Sequence, residues 1–392
     1  MDQPAPAPRP RVLHLAQPVD GGVARVVLDL ARAQLASGAR VTACCPGGAL
    51  GSELRGTRAE FRPWRAARSP GPGLAGEVRR LARLIEEVRP ELVHAHSAKA
   101  GLAARLAVRG RIPTVFQPHA WSFEAVGGVA AGLALCWERR GARWADRVVC
   151  VSEAERATGV RAGVHASYAV IPNGIDTSRF SPAPAAAAAA GVRAELLPDL
   201  DPSAPLVVCV GRLCRQKGQD VLLRAWEQVR HAAPDARLVL VGDGPDRDAL
   251  RARAHPSVRF TGAVADTVPW YRAADLVVLP SRWEGMALAP LEALACARPV
   301  VLTDVGGARE SLPPALAPRC LVPTADPGAL AAAVTSLLAD APLRAALADR
   351  GRRHVLSTHD VRTTAERVAD LYRELLGPRP PVSSERRESI RS

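Results

Sequence analysis

The stretch "RWEGMALAPLEALACARPVV", Arg282 to Val301, decides how this chain reads. It follows an apolar run, "DLVVLPS" (Asp275 to Ser281), and its own tail opens another, "RPVVLTD". Between the runs lie small and apolar residues with one proline, Pro290. Proline suits only the first turn of a helix, so the helix should begin at Leu288 or Ala289. Strand, tight turn, helix and strand together imply two parallel strands joined by a crossover. The free amides near Met286, Ala287 and Leu288 should then leave the helix N-terminus, where unpaired N–H groups and the dipole favour an anion. With no charged side chain among them, a diphosphate can approach the backbone. Glu284 stands in the turn and Glu292 about one turn inside, each placed to accept from sugar hydroxyls. Taken alone, such acids read more readily as a surface residue and a favourable charge near a helix start.

The same alternation runs outward in both directions. "RVLHLA", "RVTACC", "ELVHAHS", "IPTVFQPH", "ADRVVCVS" and "YAVIPNG" read as strands of a first half, with helix-period segments between several of them. "SPAPAAAAAAGVRAELLPDLDPSAP" (Ser181 to Pro205) interrupts as a low-complexity segment with room for a short helix in the alanines. The alternation restarts with "LVVCVGRL", "ARLVLVGDG" and "VRFTG" before reaching the opening stretch. Such a pattern predicts two α/β domains with doubly wound parallel sheets, and ligands outside the carboxyl ends of the strands. The length, 392 residues, suits two such cores.

Composition narrows the function classes. Aromatics are 4%, too few for the stacking platforms of a single-strand nucleic-acid binder, and no nucleic-acid partner is expected. The formal charge is +13, yet no run of four basic residues occurs. It fits an anionic partner or dispersed solvated arginines. Eight cysteines contain no CxxC pair, so zinc is not expected, and buried reduced thiols suit a cytoplasmic protein. The first ten residues, "MDQPAPAPRP", lack an apolar signal core, and no uncharged stretch reaches the ~18 residues of a spanning helix. "VGDGPD" lacks the third glycine of a dinucleotide fingerprint, because Arg247 stands there. The Asp-x-Asp of "DLDP" (Asp199 to Pro202) lies in the linker, away from any strand end.

"EGMALAPLEALACARPVV" resembles the E-x7-E pattern of the retaining GT4 glycosyltransferases, whose fold is GT-B: two Rossmann-like domains facing each other across a cleft. "IPNGIDTSRF", "VGRLCRQKGQDVLLRAW", "LVGDGPDRDALR", "VRFTG", the pair Gly21–Gly22 and "VHAHSAKAG" resemble the family's other segments in order, over roughly residues 11 to 376. The resemblance implies an acceptor-side domain at 1–180, an interdomain segment at 181–205 and a nucleotide-sugar domain at 206–355. A helical segment at 356–376 should pack back on the first domain, before a disordered tail at 377–392.

It also implies roles. Arg212 and Lys217 match the pair that contacts the donor diphosphate. Glu292 matches the acid that holds the donor ribose, and Glu284 the acid near the transferred sugar. Gly285, Met286, Ala287 and Leu288 match the backbone facing phosphate and sugar. Gly22 matches the loop of the first domain under the donor. His119, in "FQPHAWSFE", matches the histidine at the reaction centre, although the family's usual next residue, Gly or Asp, is here Ala120. His94 and His96 are secondary candidates to line the cleft. The implied activity is hexosyl transfer from a UDP- or GDP-sugar, with no metal and no further cofactor. The acceptor would be a lipid-linked intermediate, a polysaccharide precursor or a small molecule. A nucleotide-sugar epimerase and a non-catalytic sugar-nucleotide binder are the alternatives. The segment "WERRGARWADR" places Trp137 and Trp144 on one face if it forms a single helix, beside Arg139, Arg140 and Arg143. That arrangement suits peripheral binding to an anionic membrane.

Overall fold

The computed structural model describes residues 10–184 and 186–377. The first domain holds seven strands: β1 (Arg11–Ala16), β2 (Arg40–Cys45), β3 (Glu60–Pro63), β4 (Leu92–His96), β5 (Thr114–Gln117), β6 (Arg147–Cys150) and β7 (Tyr168–Val170). The second holds six: β8 (Leu206–Val210), β9 (Arg237–Val241), β10 (Val258–Gly262), β11 (Leu276–Leu279), β12 (Val300–Thr303) and β13 (Leu321–Val322). The orders are β3-β2-β1-β4-β5-β6-β7 and β10-β9-β8-β11-β12-β13, and every strand pair is parallel. Helices cover both faces, which is why β4 and β8 are buried at every residue instead of alternating. The fold class expected from the sequence, two doubly wound α/β domains, is the one observed.

The strand order reverses between β1 and β4 in one sheet and between β8 and β11 in the other. Such reversal points open a crevice beyond the carboxyl ends of the strands. His96 is the last residue of β4, and Gly22, Arg212 and Glu284 follow the other three ends closely.

Two strands escape the sequence reading, β3 and β13. Both are sheet edges, of four and two residues, and "EFRP" carries an arginine and a proline where an inner strand would carry apolar side chains. Edge strands need neither length nor alternation. The alanine-rich stretch forms the helix Ala186–Leu196. It packs against the second domain: Leu197 is buried, and the Arg193 guanidinium donates to Ala273 O at 2.6 Å and to Asp275 Oδ2 at 3.0 Å. From residue 378 on, the expected tail lies outside the described residues.

The last helix, Val361–Leu376, returns to the first domain, where Tyr372 meets His94 and Glu374 pairs with Arg147. All eight cysteines are free thiols, and seven are buried. No single helix among the described residues is long and apolar enough to cross a membrane.

The expectation of one helix through Trp137 and Trp144 fails. The helix Gly128–Gly141 ends first, and Trp144 closes a separate 3-10 turn, Ala142–Trp144. The indoles still approach, with centroids 6.2 Å apart, but Trp137 faces inward against Arg105, 5.3 Å from its ring. Arg105 forms a buried ion pair with Glu138 at 2.8 Å and lies over Phe116. This cluster ties the inner side of the helix to the domain. The outer side keeps its apolar residues in solvent.

Candidate active site

The helix after β11 begins at Leu288 and runs to Ala295, with Ala287 in extended conformation at its N-cap. No side chain caps it. The N–H groups of Gly285, Met286 and Ala287 take no partner among the described residues, whereas the carbonyls beside them are held from the first domain. Ser152 Oγ donates to Gly285 O at 3.0 Å, and Asn173 Nδ2 to Met286 O at 2.8 Å. The turn is therefore braced through its acceptors and open through its donors, the arrangement an anion needs.

The charged residues expected here gather around that turn. Lys217, on the 3-10 turn Arg215–Lys217 after β8, places Nζ 2.5 Å from Glu284 Oε1. Ser281 Oγ donates to the same oxygen at 2.8 Å. Lys217 and Glu284, which the resemblance assigns to phosphate and sugar, thus form one ion pair, partly shielded from solvent. The Arg212 guanidinium has no partner among the described residues. Its backbone carbonyl is fixed by Gln219 Nε2 at 3.0 Å, which leaves the side chain alone free to swing onto a ligand.

Glu292 lies within the helix itself. Tyr271 Oη donates to its Oε2 at 2.6 Å, and Oε1 takes no partner among the described residues. Burial pushes the Glu292 carboxyl above its ordinary range, against the opposing pull of Tyr271, Arg25 and Arg179. Tyr271, from "VPWYRAA", was not singled out from sequence. Its signal was a tyrosine beside a tryptophan and an arginine in a short helix, and that does not distinguish a core ring from a site ring.

The first domain closes the site. Gly22 lies over the helix start, where an added Cβ would sit 3.7 Å from Leu288. Gly285 has no such slack: a Cβ there would fall 2.9 Å from Val151, and 3.0 Å from both Ala120 N and Glu155 Oε1. His119 and Ala120 follow β5 with φ of 57° and 98°, backbone that glycine adopts more readily. Glu155 holds this loop by accepting from Ala120 N at 2.5 Å and Val151 N at 2.7 Å. Burial raises its carboxyl to about 7. Glu310 reaches across to accept from Glu153 N and Ala154 N at 2.8 and 2.9 Å, capping the helix Glu153–Arg161 from the opposite domain.

Behind His119 lies a set of buried imidazoles. His96 Nδ1 pairs with His119 Nε2 at 3.2 Å, and His14 Nδ1 with His96 Nε2 at 3.0 Å. His94 and His96 do not line the cleft, because both are 0% exposed. Burial depresses every ring in the set, His14 to about 4 and His119 to about 3. They are neutral at pH 7.

Comparison with known proteins agrees with this geometry. Residues 20–179 match the model described as Glycosyltransferase Family 4, and residues 204–340 match Glycosyl transferases group 1. A GDP-mannose-dependent alpha-(1-6)-phosphatidylinositol monomannoside mannosyltransferase of Mycolicibacterium smegmatis is 35% identical over 323 residues, covering 77% of this chain and 80% of that protein. The chain belongs to glycosyltransferase family 4. It is a glycosyltransferase of the nucleotide-sugar-dependent kind. The lipopolysaccharide core biosynthesis mannosyltransferase LpsB of Rhizobium meliloti is 31% identical over 61% of this chain and 70% of its own length. Among solved structures, Anabaena Alr3699/HepE in complex with UDP-glucose superposes with a TM-score of 0.80 at 23% identity, over 93% of this chain and all of that one. That likeness establishes the GT-B fold of this family 4 member.

Proposed function

We propose that this glycosyltransferase transfers a hexose from a GDP- or UDP-sugar with retention of configuration and without a metal. GDP-mannose is the favoured donor, and a lipid-linked acceptor the favoured class. One observation carries the reading: the Lys217–Glu284 pair stands before, and Glu292 within, a helix whose uncapped start has free amides, and Arg212 follows the end of the neighbouring strand β8. A departing nucleoside diphosphate needs positive charge where its negative charge grows, and two basic side chains with a helix end supply it. The acceptor oxygen bonds to the anomeric carbon as the bond to the diphosphate breaks on the same face. The acceptor's proton passes to the departing phosphate. Glu284 sits where it can orient sugar hydroxyls, and Glu292 Oε1 is open to a ribose hydroxyl. The Mycolicibacterium relative is a GDP-mannose-dependent mannosyltransferase of phosphatidylinositol monomannoside, which supports this choice of donor and acceptor class.

Incubation with a panel of GDP- and UDP-sugars and lipid acceptors, with and without EDTA, tests the reading. Retention appears as an α-linked product from an α-linked donor in the anomeric proton spectrum. An inverted product or abolition by EDTA overturns the corresponding element. Isomerised donor formed without acceptor would point to an epimerase.

We further infer that the protein works at an anionic membrane surface as a peripheral protein on the cytoplasmic side. The observation favouring this is the outer face of the helix Gly128–Gly141, where Val129 is 83% and Leu133 68% exposed, with Val126 at 43% just before it. Arg139 and Arg140 stand exposed in the helix's last turn, and Arg143 in the 3-10 turn just after it. The helix follows directly from the His119 loop, so a bilayer met by this face lies beside the cleft.

A further inference from the structure

The buried imidazoles form a line with one end in the cleft and the other on an amide. β1 and β4 pair in register with His14 opposite His94, so His14, His94 and His96 share one face of the sheet. Helix Gly21–Ala36 covers that face and supplies Gln34, which is 5% exposed. Gln34 Oε1 lies 2.8 Å from His14 Nε2, and Gln34 Nε2 donates to Tyr372 Oη at 3.5 Å.

An amide oxygen only accepts, so the proton must sit on His14 Nε2. A neutral imidazole has one donor and one acceptor nitrogen, which makes His14 Nδ1 the acceptor. Its partner at 3.0 Å, His96 Nε2, must then donate. His96 Nδ1 becomes the acceptor, and its partner at 3.2 Å, His119 Nε2, must donate in turn. Each ring passes the choice to the next, and His119 is left with its lone pair on Nδ1. That nitrogen takes no partner among the described residues. The depressed basicity of the buried rings is consistent with this, since a charged imidazole would break the sequence of one donor and one acceptor.

We propose that Gln34 sets the tautomer of His119 through His14 and His96, so that His119 meets the cleft with an accepting Nδ1 for a sugar or acceptor hydroxyl. The proposal rests on the reading of this cleft as the transfer site. Gln34, His14 and His96 are positioning residues, and His119 alone touches the ligand. The alternative use of the three rings is a metal site, since ligand atoms of His14, His94 and His96 lie within 4.8 Å of one another and His94 Nε2 makes no hydrogen bond of ordinary geometry among the described residues. The 3.0 Å between His14 and His96 is a hydrogen-bond length, and the polar groups touching the rings (Gln34, Tyr372, Gln117 and His119) offer no negative charge to offset a buried cation.

Two-bond proton–nitrogen correlation spectra of protein labelled at histidine read the tautomer directly, with neither donor nor acceptor present. His119 is assigned by the signal lost in His119→Gln. The expected spectrum at neutral pH shows His14, His96 and His119 all protonated on Nε2. In Gln34→Leu the His119 signal shifts toward a mixture of tautomers, and kcat falls about tenfold, the value of one lost hydrogen bond to a reacting group, while donor KM holds within about twofold. A proton on Nδ1 of His119 in the wild type overturns the proposal, whether or not Gln34→Leu folds. So does a His119 tautomer unchanged in Gln34→Leu. One equivalent of zinc retained through purification and lost in His94→Gln overturns it too, because the metal would take the same lone pairs. Lack of any transferase activity alongside the expected tautomers would count against the functional reading and leave the relay standing.

Discussion

Tyr271 donates its phenolic proton to Glu292 Oε2 at 2.6 Å, and the tyrosine ring is 0% exposed. Glu292 is therefore both a candidate ribose acceptor and, among the described residues, the partner of a buried hydroxyl. Glu292→Ala should weaken GDP and UDP binding by about 1.5–3 kcal/mol, the range for hydrogen bonds to a charged group. It should also lower stability by about 1–3 kcal/mol, because the phenol is left unsatisfied. Tyr271→Phe separates the two effects. It takes the hydrogen bond from Glu292 Oε2 but leaves the acid in place for a ribose hydroxyl, so nucleotide affinity should fall by less than in Glu292→Ala. Calorimetric titration and thermal melts on both variants check this. Equal affinity in Glu292→Ala and wild type would remove Glu292 from the donor site.

Lys217 and Glu284 are 2.5 Å apart and are expected to act as one unit. Removing either strands the other, so their effects should not add. Each of Lys217→Ala and Glu284→Ala should lower kcat by about a hundredfold, the scale of one lost group that stabilises developing charge. The double variant should be little worse than either single one. Donor KM should change much less, because the leaving diphosphate gains charge only as the bond breaks. Steady-state kinetics on the three proteins measure the coupling. Simple multiplication of the two effects would mean the residues act separately.

The sequence announced this half of the site because chemistry and backbone coincide there. Pro290 fixes where the helix can begin, the two acids sit around it, and both basic residues follow a strand end at short range. What stayed hidden depends on long-range pairing. Tyr271 is 21 residues from Glu292, Gln34 is 20 from His14, and Glu310 caps a helix 156 residues away. No local pattern marks such partners, because each is placed by sheet order and domain contact. His94 and His96 show the limit in another way. Alternation along a strand told which face they share, and only the helices lying over that face decide that both are buried. The edge strands β3 and β13 were hidden for the opposite reason, since an edge asks too little of its sequence to be recognised.

His14 gives a pH dependence with a definite sign. Its pKa falls from 6.5 to about 4 on folding, because burial disfavours the charged ring. The folded state binds fewer protons than the unfolded one in that window. The contribution is fully present above pH 6.5 and is lost as pH falls toward 4. The slope is up to about 1.4 kcal/mol per pH unit for this ring. His94, His96 and His119 shift in the same direction. Glu155, raised to about 7, Asp29, raised to about 6, and Glu124 and Glu292, raised by burial, act oppositely, but His354 and His359 are lowered too, and six rings outweigh four carboxyls. Thermal or urea unfolding at steps between pH 4 and 6.5 should show destabilisation toward acid. His14→Asn should flatten the slope by up to about 1.4 kcal/mol per unit. An unchanged slope would mean that His14 is already protonated in the folded protein.

The exposed helix face makes a prediction that separates two kinds of membrane attraction. Val129 and Leu133 are each worth about 1.5–3 kcal/mol if fully removed from water. Arg139, Arg140 and Arg143 add about 1 kcal/mol apiece near an anionic surface, and that part is screened over roughly 8–10 Å at physiological salt. The apolar part is not screened. Wild-type protein should therefore sediment with anionic vesicles at low salt and retain weaker binding at high salt. Replacing the three arginines with Gln should abolish the salt dependence and leave the weak residue. Val129→Ser with Leu133→Ser should remove that residue and lower affinity at least about tenfold, even where only part of each side chain enters the bilayer. Nucleotide affinity should be unchanged in both variants, since neither change reaches the turn at Gly285. Arg105 must be left alone, because it pairs with buried Glu138 and its loss would loosen the helix itself. Wild-type protein that stays in the supernatant with anionic vesicles at low salt would free this face from the bilayer and direct the search for an acceptor to water-soluble compounds.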